Sequence, residues 1–357
     1  MYFIEPKKSK YYGGVSNVAY FLPKALSKKT ALTYFPAFYP RIGYATSILN
    51  VYRRLVAGDF EVVHFNIIPH WTKGGYSLPE LAKITNTSTI LNIHGIIQLE
   101  YALYGTGKNR FWQSSDQNLS RIMRYCRMVD KLVTYSEFMR KRIETFYQVN
   151  KNKIVVIPNG VNVDKFSECT NEVTLNGDPA ILYLGHLSKG ADFLIDAISK
   201  IQPQLPKLRL HLVGGGDIPS LKQIARKRGI ESSIVFHGSI KPENTPGFYK
   251  AADIFVFPTI WTPAGITILE SMASGTPIIA SNRGGVPEII SHGKDGLLFD
   301  PNDPNALPSA ILELYSDQKL AKKIKENALT TVKEYSWENI AKKYSLLYEN
   351  LKKERNR

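Results

Sequence analysis

Residues 252–288 read ADIFVFPTIWTPAGITILESMASGTPIIASNRGGVPE, and this stretch decides the fold that the sequence predicts. Its first part, 254–257, is a short apolar run rich in β-favoured residues, which indicates a strand covered on both faces. Gly265 then opens an apolar periodicity of helical spacing, and Gly275 and Pro277 are the stop signals that commonly follow a helix. We therefore predict a buried strand, a helix of about three turns and a second strand.

The start of this predicted helix is suited to binding an anion. A helix that begins at glycine leaves its first N–H groups uncovered, so the amides of Gly265, Ile266 and Thr267 would hold a phosphate. Glu270 follows about one turn later, and its carboxylate accepts hydrogen bonds, as required for holding the paired hydroxyls of a ribose. The alternative is an ordinary packing helix with Glu270 in solvent, and on these residues alone the two interpretations have similar weight.

Strand-like and helical runs alternate along the rest of the chain. The strand-like runs are 2–4, 62–66, 88–93, 132–135, 154–157, 181–184, 208–213 and 234–236. This alternation predicts α/β architecture with parallel sheets. The turn at Pro158-Asn159-Gly160 and the polar stretch 167–179 indicate a domain boundary, so we predict one domain over 1–165 and another over 166–337.

Two further side chains stand where ligands of parallel sheets collect, at the carboxyl ends of strands. His94 directly follows the apolar run that ends at Ile93, whereas His64 and His70 are expected to be structural. Lys189 lies beside a glycine-rich turn after the strand 181–184, and its amine is suited to neutralising a diphosphate leaving group.

These segments together resemble the family-4 retaining glycosyltransferases. The resemblance rests on 258–280, on Asn159-Gly160-Val161 and on the loop 185–190, and matching segments run in order from Gly13 to the C-terminal helix. It implies the GT-B fold, an α/β architecture of two Rossmann-like domains whose parallel sheets face each other across a cleft. It also implies that a last helix, 338–357, packs back onto the first domain.

The resemblance implies a hexosyltransferase-type glycosyltransferase that moves a sugar from a nucleoside-diphosphate sugar, with UDP or GDP, to a glycan or lipid-linked acceptor. The acceptor would lie against the first domain and the donor in the second. The residues that we assign to catalysis are His94, Thr262 and Glu270. The residues that we assign to donor binding are Gly14, His186, Lys189, Gly265, Ile266, Thr267 and Glu270.

Four positions depart from the family pattern, and one of them, Asn162 in place of an aspartate, is a mild change that we do not connect with the chemistry. Thr262 stands where the first of two glutamates is found, Ala264 replaces an aromatic residue, and His186 takes the place of an arginine, where it would help only as a cation. If the first glutamate stabilises positive charge, threonine slows transfer; if it positions a hydroxyl, threonine changes which sugar fits. The alternative function is therefore a catalytically impaired protein that binds a nucleotide sugar or acts as a scaffold.

The net charge of +15 is concentrated in the first domain, since 1–165 carries +13 and 166–357 carries +2. A cationic surface favours anionic partners, here an acidic membrane face, although a solvated basic surface explains the same charge. Nucleic acid is not favoured, because no reading motif is present. Residues 140–142, Lys151 and Lys153 form the densest basic run, and we expect a solvated helix face there.

The remaining sequence features concern the location of the protein and its use of a metal or cofactor. The chain has no apolar window of membrane length and no signal-peptide pattern, so we expect a cytoplasmic protein, peripheral at the inner membrane face if it meets a membrane. The two cysteines have no pairing or metal spacing. No Walker A, H-E-x-x-H, C-x-x-C, G-x-S-x-G or D-x-D sequence is found, so we expect neither a metal nor a cofactor besides the donor substrate.

Overall fold

The computed structural model describes residues 2–6, 14–27, 33–37, 53–65, 78–94, 115–260, 262 and 265–356. These residues form two compact units. Unit 1 comprises the described residues up to His94 together with 115–160 and 337–356, and unit 2 comprises those of Val161–Ser336. Each unit is an α/β assembly with parallel strands only, so the predicted architecture is confirmed in both.

Unit 1 contains a two-stranded sheet and a four-stranded sheet. The two-stranded sheet pairs β1 (Tyr2–Pro6) with β2 (Thr33–Ala37). The four-stranded sheet runs in the order β3 (Val62–Phe65), β4 (Ser88–Asn92), β5 (Lys131–Thr134) and β6 (Ile154–Val156). Its helices are α1 (Gly14–Ser27), α2 (Leu78–Ile84), α3 (Ser115–Met128), α4 (Glu137–Tyr147) and the last helix, α12 (Trp337–Arg355).

The last helix is part of the core of unit 1. Trp337 stacks on Phe21 of α1 with ring centroids 5.9 Å apart. Tyr348 of α12 donates a hydrogen bond to Nδ1 of His64 at 2.8 Å, and Nε2 of His64 donates to Oδ1 of Asn92 at 3.0 Å. Burial lowers the pKa of His64 to about 3, so this histidine is a neutral link between α12 and the sheet.

Unit 2 contains one six-stranded sheet. Its strands are β7 (Ala180–Leu184), β8 (Arg209–Val213), β9 (Ile234–Gly238), β10 (Ile254–Phe257), β11 (Ile278–Ser281) and β12 (Leu297–Phe299), in the order β12-β11-β10-β7-β8-β9. Its helices are α5 (Val163–Ser167), α6 (Ala191–Ile201), α7 (Ile218–Lys227), α8 (Thr245–Ala251), α9 (Ile266–Ser274), α10 (Ala306–Ser316) and α11 (Gln318–Thr331).

Helices cover both faces of this sheet, which explains its continuous apolar strands. Along β10, Ile254 and Val256 point into the core cluster that contains α6 and α10, while Phe255 and Phe257 point into the cluster that contains α8 and α9. The alternation places β10 in the interior of the sheet, between β7 and β11. The carboxyl end of β10 is therefore fixed from both sides.

Several elements differ from the sequence prediction. We predicted neither β2 nor β12, which are short, nor α7 and α8. α8 has seven residues, too few for a clear helical periodicity. Pro23 lies inside the first helix, where a proline commonly kinks or ends a helix, but this helix continues to Ser27. Residues 53–56 are also helical.

Within the ranges described above, no helix has both the length and the apolar character needed to cross a bilayer.

Candidate functional site

The start of α9 has the open geometry that the sequence predicts. Gly265 is the N-cap residue and supplies no side-chain hydrogen bond, and the first turn contains no acidic residue. In the part of the chain that the structure describes, the N–H groups of Ile266 and Thr267 have no hydrogen-bond partner. A helix N-terminus with uncovered N–H groups attracts anions through these donors and through the helix dipole.

The glycine at the N-cap has a packing reason as well. A Cβ at Gly265 would lie 2.5 Å from Cδ1 of Ile268, closer than real carbon atoms approach. Ile268 is fully buried, so it has no room to move away. Glycine is thus required here by the side chain that follows it one turn later.

The loop that carries Lys189 packs directly on the carboxyl end of β10. Thr259 donates its hydroxyl to the carbonyl of Lys189 at 3.1 Å. Gly190, with a φ of 101°, lies so close to Pro258 that a Cβ there would be 3.1 Å from Cγ of the proline. The β7–α6 loop is therefore held against the segment that leads from β10 to α9.

His186 is in the same loop and is exposed. Its Nδ1 is 2.7 Å from the hydroxyl of Ser188. Desolvation lowers its pKa, and the positive charge of Lys189 lowers it further. His186 is therefore neutral at physiological pH, so Lys189 rather than His186 supplies cationic charge to this loop.

One interpretation of the sequence placed Glu270 in solvent, and the structure shows otherwise. Glu270 is partly buried, and the hydroxyl of Tyr249 on α8 donates a hydrogen bond to its Oε2 at 3.0 Å. Burial raises the pKa of Glu270 to about 7, and the hydrogen bond from Tyr249 and the charge of Lys165 limit the increase. Its carboxyl group is therefore held in one direction and titrates near neutral pH.

Tyr249 and Lys165 are the residues that sequence reasoning missed at this position. Tyr249 is fully buried, and its hydroxyl reaches Glu270 because α8 packs on α9. Lys165 donates to the carbonyl of Pro242 at 2.8 Å. The segment NGVNVDKF, which contains Lys165, was already part of the resemblance to the family. Nothing in that segment indicates that Lys165 lies near Glu270 of α9, about a hundred residues later.

Thr262 lies between β10 and α9, and only 8% of its surface is exposed. Gly285 donates its N–H to the carbonyl of Thr262 at 3.1 Å. Gly284 has a φ of 64°, and a Cβ there would lie 2.6 Å from that carbonyl oxygen. The glycine pair after β11 thus fixes the backbone at the position where the family pattern has its first glutamate.

The two remaining assigned residues belong to unit 1. Gly14 is the first residue of α1. His94 follows the carboxyl end of β4, and the hydroxyl of Tyr135, which follows β5, lies 2.6 Å from its Nδ1. Tyr135 is buried, and burial raises its pKa well above the usual value, so it remains a protonated donor to His94. His70 lies outside the described residues.

Among the residues that the structure describes, no group of three or more His, Cys, Asp or Glu side chains lies close enough together to hold a metal ion.

Comparison with known proteins identifies the family to which the chain is similar. The family Glycosyltransferase Family 4 matches residues 12–165, and the family Glycosyl transferases group 1 matches residues 166–331. An uncharacterized glycosyltransferase of Methanocaldococcus jannaschii is 30% identical over 251 residues, which are 66% of this chain and 64% of that protein. The chain therefore spans about two thirds of that relative's length.

Two further relatives cover more of the chain. A D-inositol 3-phosphate glycosyltransferase of Corynebacterium glutamicum is 26% identical over 94% of this chain and 81% of its own length. The crystal structure of Anabaena Alr3699/HepE in complex with UDP and glucose has a TM-score of 0.73 and 17% identity, and covers 98% of this chain and 100% of that one. The chain belongs to the family-4 glycosyltransferases, group 1, and has the GT-B fold.

Proposed function

We propose that this protein transfers a hexosyl group from a nucleoside-diphosphate sugar to an acceptor, with retention of configuration and without a metal. The observation that carries the proposal is the uncovered start of α9, with the glutamate Glu270 one turn later in the same helix. It is supported by the solved structure with UDP and glucose, and by relatives whose names describe GDP-mannose-dependent transfer.

The roles within unit 2 follow from charge. The N–H groups of Gly265, Ile266 and Thr267 would bind the diphosphate, and Lys189 would offset the negative charge that develops on it as the sugar leaves. The absence of a D-x-D sequence is consistent with a lysine in the place that a metal ion takes in other transferases. Glu270 would accept hydrogen bonds from the ribose hydroxyls.

The residues that we assign to the sugar are Thr262 and His94. The hydroxyl of Tyr135 lies 2.6 Å from Nδ1 of His94 and 3.3 Å from its Nε2, so Tyr135 orients the imidazole that we assign to the sugar. Gly14 would present its backbone to the donor. His186, being neutral, would contribute a hydrogen bond and not a charge.

The second candidate function rests on Thr262. A neutral hydroxyl in place of the family's first glutamate is consistent with a protein that binds a nucleotide sugar without turnover, as a scaffold. Transfer to an acceptor, or hydrolysis of a donor, by the purified protein would exclude this candidate.

The acceptor and the setting are proposed from the charge of the first domain and from the relatives. We propose a glycan or lipid-linked glycan as acceptor, a cytoplasmic location, and contact with an anionic membrane face through the basic surface of 1–165. A relative in Mycobacterium tuberculosis is named as a phosphatidylinositol monomannoside mannosyltransferase, which supports a lipid-linked acceptor.

Thermal unfolding with a panel of UDP- and GDP-sugars tests the donor proposal. A ligand at 100 times its dissociation constant should stabilise the protein by ~2.7 kcal/mol. We expect one nucleotide series to raise the melting temperature, and the variant Glu270→Ala to abolish the effect. If no nucleotide or nucleotide sugar shifts the transition at millimolar concentration, the proposed donor site is wrong.

A further inference from the structure

Unit 1 contains a pocket that the proposed transfer reaction does not use. It has a volume of about 460 Å³ and is lined by Lys83, Ser120, Met123, Arg124, Arg127 and Met128. Lys83 lies in the last turn of α2, and the other five residues lie on α3. We call this the α2–α3 pocket.

The pocket lies at the opposite edge of the unit 1 sheet from His94. α2 leads into the amino end of β4, and α3 leads into the amino end of β5. His94 and Tyr135 follow the carboxyl ends of the same two strands. A ligand in the α2–α3 pocket would therefore be a strand length away from the residues that we assign to the sugar.

Among the side chains that the structure describes, cations outnumber carboxylates around this pocket. Lys153 lies beside the lining residues, since it donates to the carbonyl of Arg127 at 2.6 Å. Lys83 and Lys131 both lie near enough to Lys153 to lower its pKa. Five cationic side chains therefore gather here, namely Lys83, Arg124, Arg127, Lys131 and Lys153.

Among the side chains that the structure describes, two carboxylates lie near these cations, and each has a partner. Glu80 forms an ion pair with Arg124. Asp130 accepts hydrogen bonds from the N–H of Thr89 at 2.7 Å and from its hydroxyl at 2.8 Å. Arg127 donates to a neutral acceptor, Oε1 of Gln148, at 3.2 Å. The described part of the cluster thus has more cationic than anionic side chains.

The cations also act on one another. Burial lowers the pKa of Lys153, Lys83 and Lys131 lower it further, and Asp130 opposes them. A helix C-terminus favours a nearby cation, which explains one basic residue on each helix. It does not explain five cations around one pocket.

Residues 140–142, the part of the densest basic run that lies on α4, behave differently from Lys153, which belongs to the same run and lies at the pocket. Arg140 forms ion pairs with Glu137 at 2.5 Å and with Glu144 at 3.5 Å. Arg142 lies over the ring of Phe138, 5.3 Å from its centroid. This surface of α4 is the solvated helix face that the sequence predicts, and it provides a matched control for the pocket.

We propose that the α2–α3 pocket is an anion site that binds the phosphate group of a phosphate-bearing ligand. Arg127 offers a planar donor fork that matches phosphate oxygens, Arg124 shares its fork with Glu80, and Lys83 and the hydroxyl of Ser120 add further donors. Met123 and Met128 provide an adaptable apolar wall for the group that carries the phosphate. A pocket open to solvent is accessible to a phosphate headgroup or to a small phosphorylated molecule.

The test compares two double charge reversals with equal change in net charge. Lys83→Glu with Arg127→Glu alters the pocket, and Lys141→Glu with Arg142→Glu alters the control face, where both side chains are exposed. Binding of pyrophosphate is measured by calorimetry, and binding to phosphatidylcholine vesicles with and without phosphatidic acid is measured by sedimentation. Thermal unfolding shows that each variant is folded.

We expect the pocket variant to lose at least ten-fold in affinity for one probe and the control variant less than two-fold. Loss for pyrophosphate identifies a soluble phosphorylated ligand, and loss for vesicles alone identifies a lipid headgroup. Because pyrophosphate also suits the start of α9, only the difference between wild type and pocket variant is counted. Equal losses in both variants, or no binding of either probe by the wild type, would overturn the proposal.

Discussion

Two regions of the protein are suited to binding an anion, the start of α9 and the α2–α3 pocket. They lie at opposite ends of their helices. At the start of α9 the donors are backbone N–H groups of neutral residues, on a helix whose dipole favours an anion. In the α2–α3 pocket the donors are side chains near two helix C-termini, where the dipole opposes an anion. The first site is therefore built into the backbone, whereas the second depends on side chains that substitution removes easily.

The largest expected effect comes from removing the charge of Lys189, which we assign to the anion site at the start of α9. Lys189→Ala should lower kcat/KM for glycosyl transfer by about 10²–10³, the loss typical of an electrostatic donor aimed at developing charge. The measurement is steady-state transfer with the donor found by thermal unfolding. Lys207→Ala, an exposed lysine in the same unit, serves as the control. An undiminished rate for Lys189→Ala would mean that the amides of α9 act without it.

The next effect concerns Thr262, which is fixed by the glycine pair after β11. Thr262→Glu should lower kcat/KM for the natural donor by about 10-fold or more and change the order of preferred donors, because a larger charged side chain enters a buried position. Assay of the variant against a panel of donors is the measurement, with Thr262→Ser as the conservative control. Unchanged rates and donor order would remove any special role for this position.

A smaller effect should appear in donor affinity as pH changes, because Glu270 has a pKa of about 7. Its ionised form accepts two hydroxyls, so affinity should fall about 10-fold between pH 8 and pH 6. Calorimetry at several pH values measures this change. Glu270→Gln should bind weakly with a flat profile, and a wild-type profile that is equally flat would exclude Glu270 from donor binding.

The same pKa predicts the opposite trend for stability. Glu270 titrates at 4.5 in the unfolded chain and at about 7 in the folded protein. The folded state therefore binds the proton more tightly, and its stability falls as pH rises from about 4.5 to 7. Glu270→Gln should be more stable than wild type at pH 8 by about 1–3 kcal/mol, and the gain should vanish near pH 5. Urea unfolding measures it, with Glu313→Gln on an exposed part of α10 as the control.

The smallest effect should be the salt dependence of nucleotide binding, which sharpens the comparison between the two regions. Raising NaCl from 50 to 500 mM should weaken nucleotide binding only a few-fold, because backbone donors remain and part of that site is buried. Phosphate binding at the exposed α2–α3 pocket should weaken about ten-fold or more over the same range, because mobile ions screen its charges. Titrations at both salt concentrations give the change in affinity with salt at each site. Similar changes at the two sites would mean that backbone and side-chain donors do not distinguish them.

The fold could be predicted because its signals are local. The run Ile254–Phe257 alternates between two buried faces, and Gly265 and Gly275 bound α9 at the predicted positions. The uncovered start of that helix follows from a glycine N-cap. The same reasoning failed for α8, whose seven residues have no clear periodicity.

The missed features depend on contacts between distant segments. The hydrogen bond from Tyr249 to Glu270 requires α8, and the contact between Tyr135 and His94 requires two neighbouring strand ends. The densest basic run in the sequence surrounds Arg140, which the fold pairs with glutamates on its own helix. Local spacing shows where charges are numerous, but only the fold shows which of them remain unbalanced.

The position of α12 in unit 1 has a consequence for biosynthesis. A ribosome makes the strands of unit 1 early, yet Trp337 and Tyr348, which pack on Phe21 and His64, are made only after the whole of unit 2. The apolar surface of unit 1 that α12 covers therefore stays exposed during synthesis until α12 has been made.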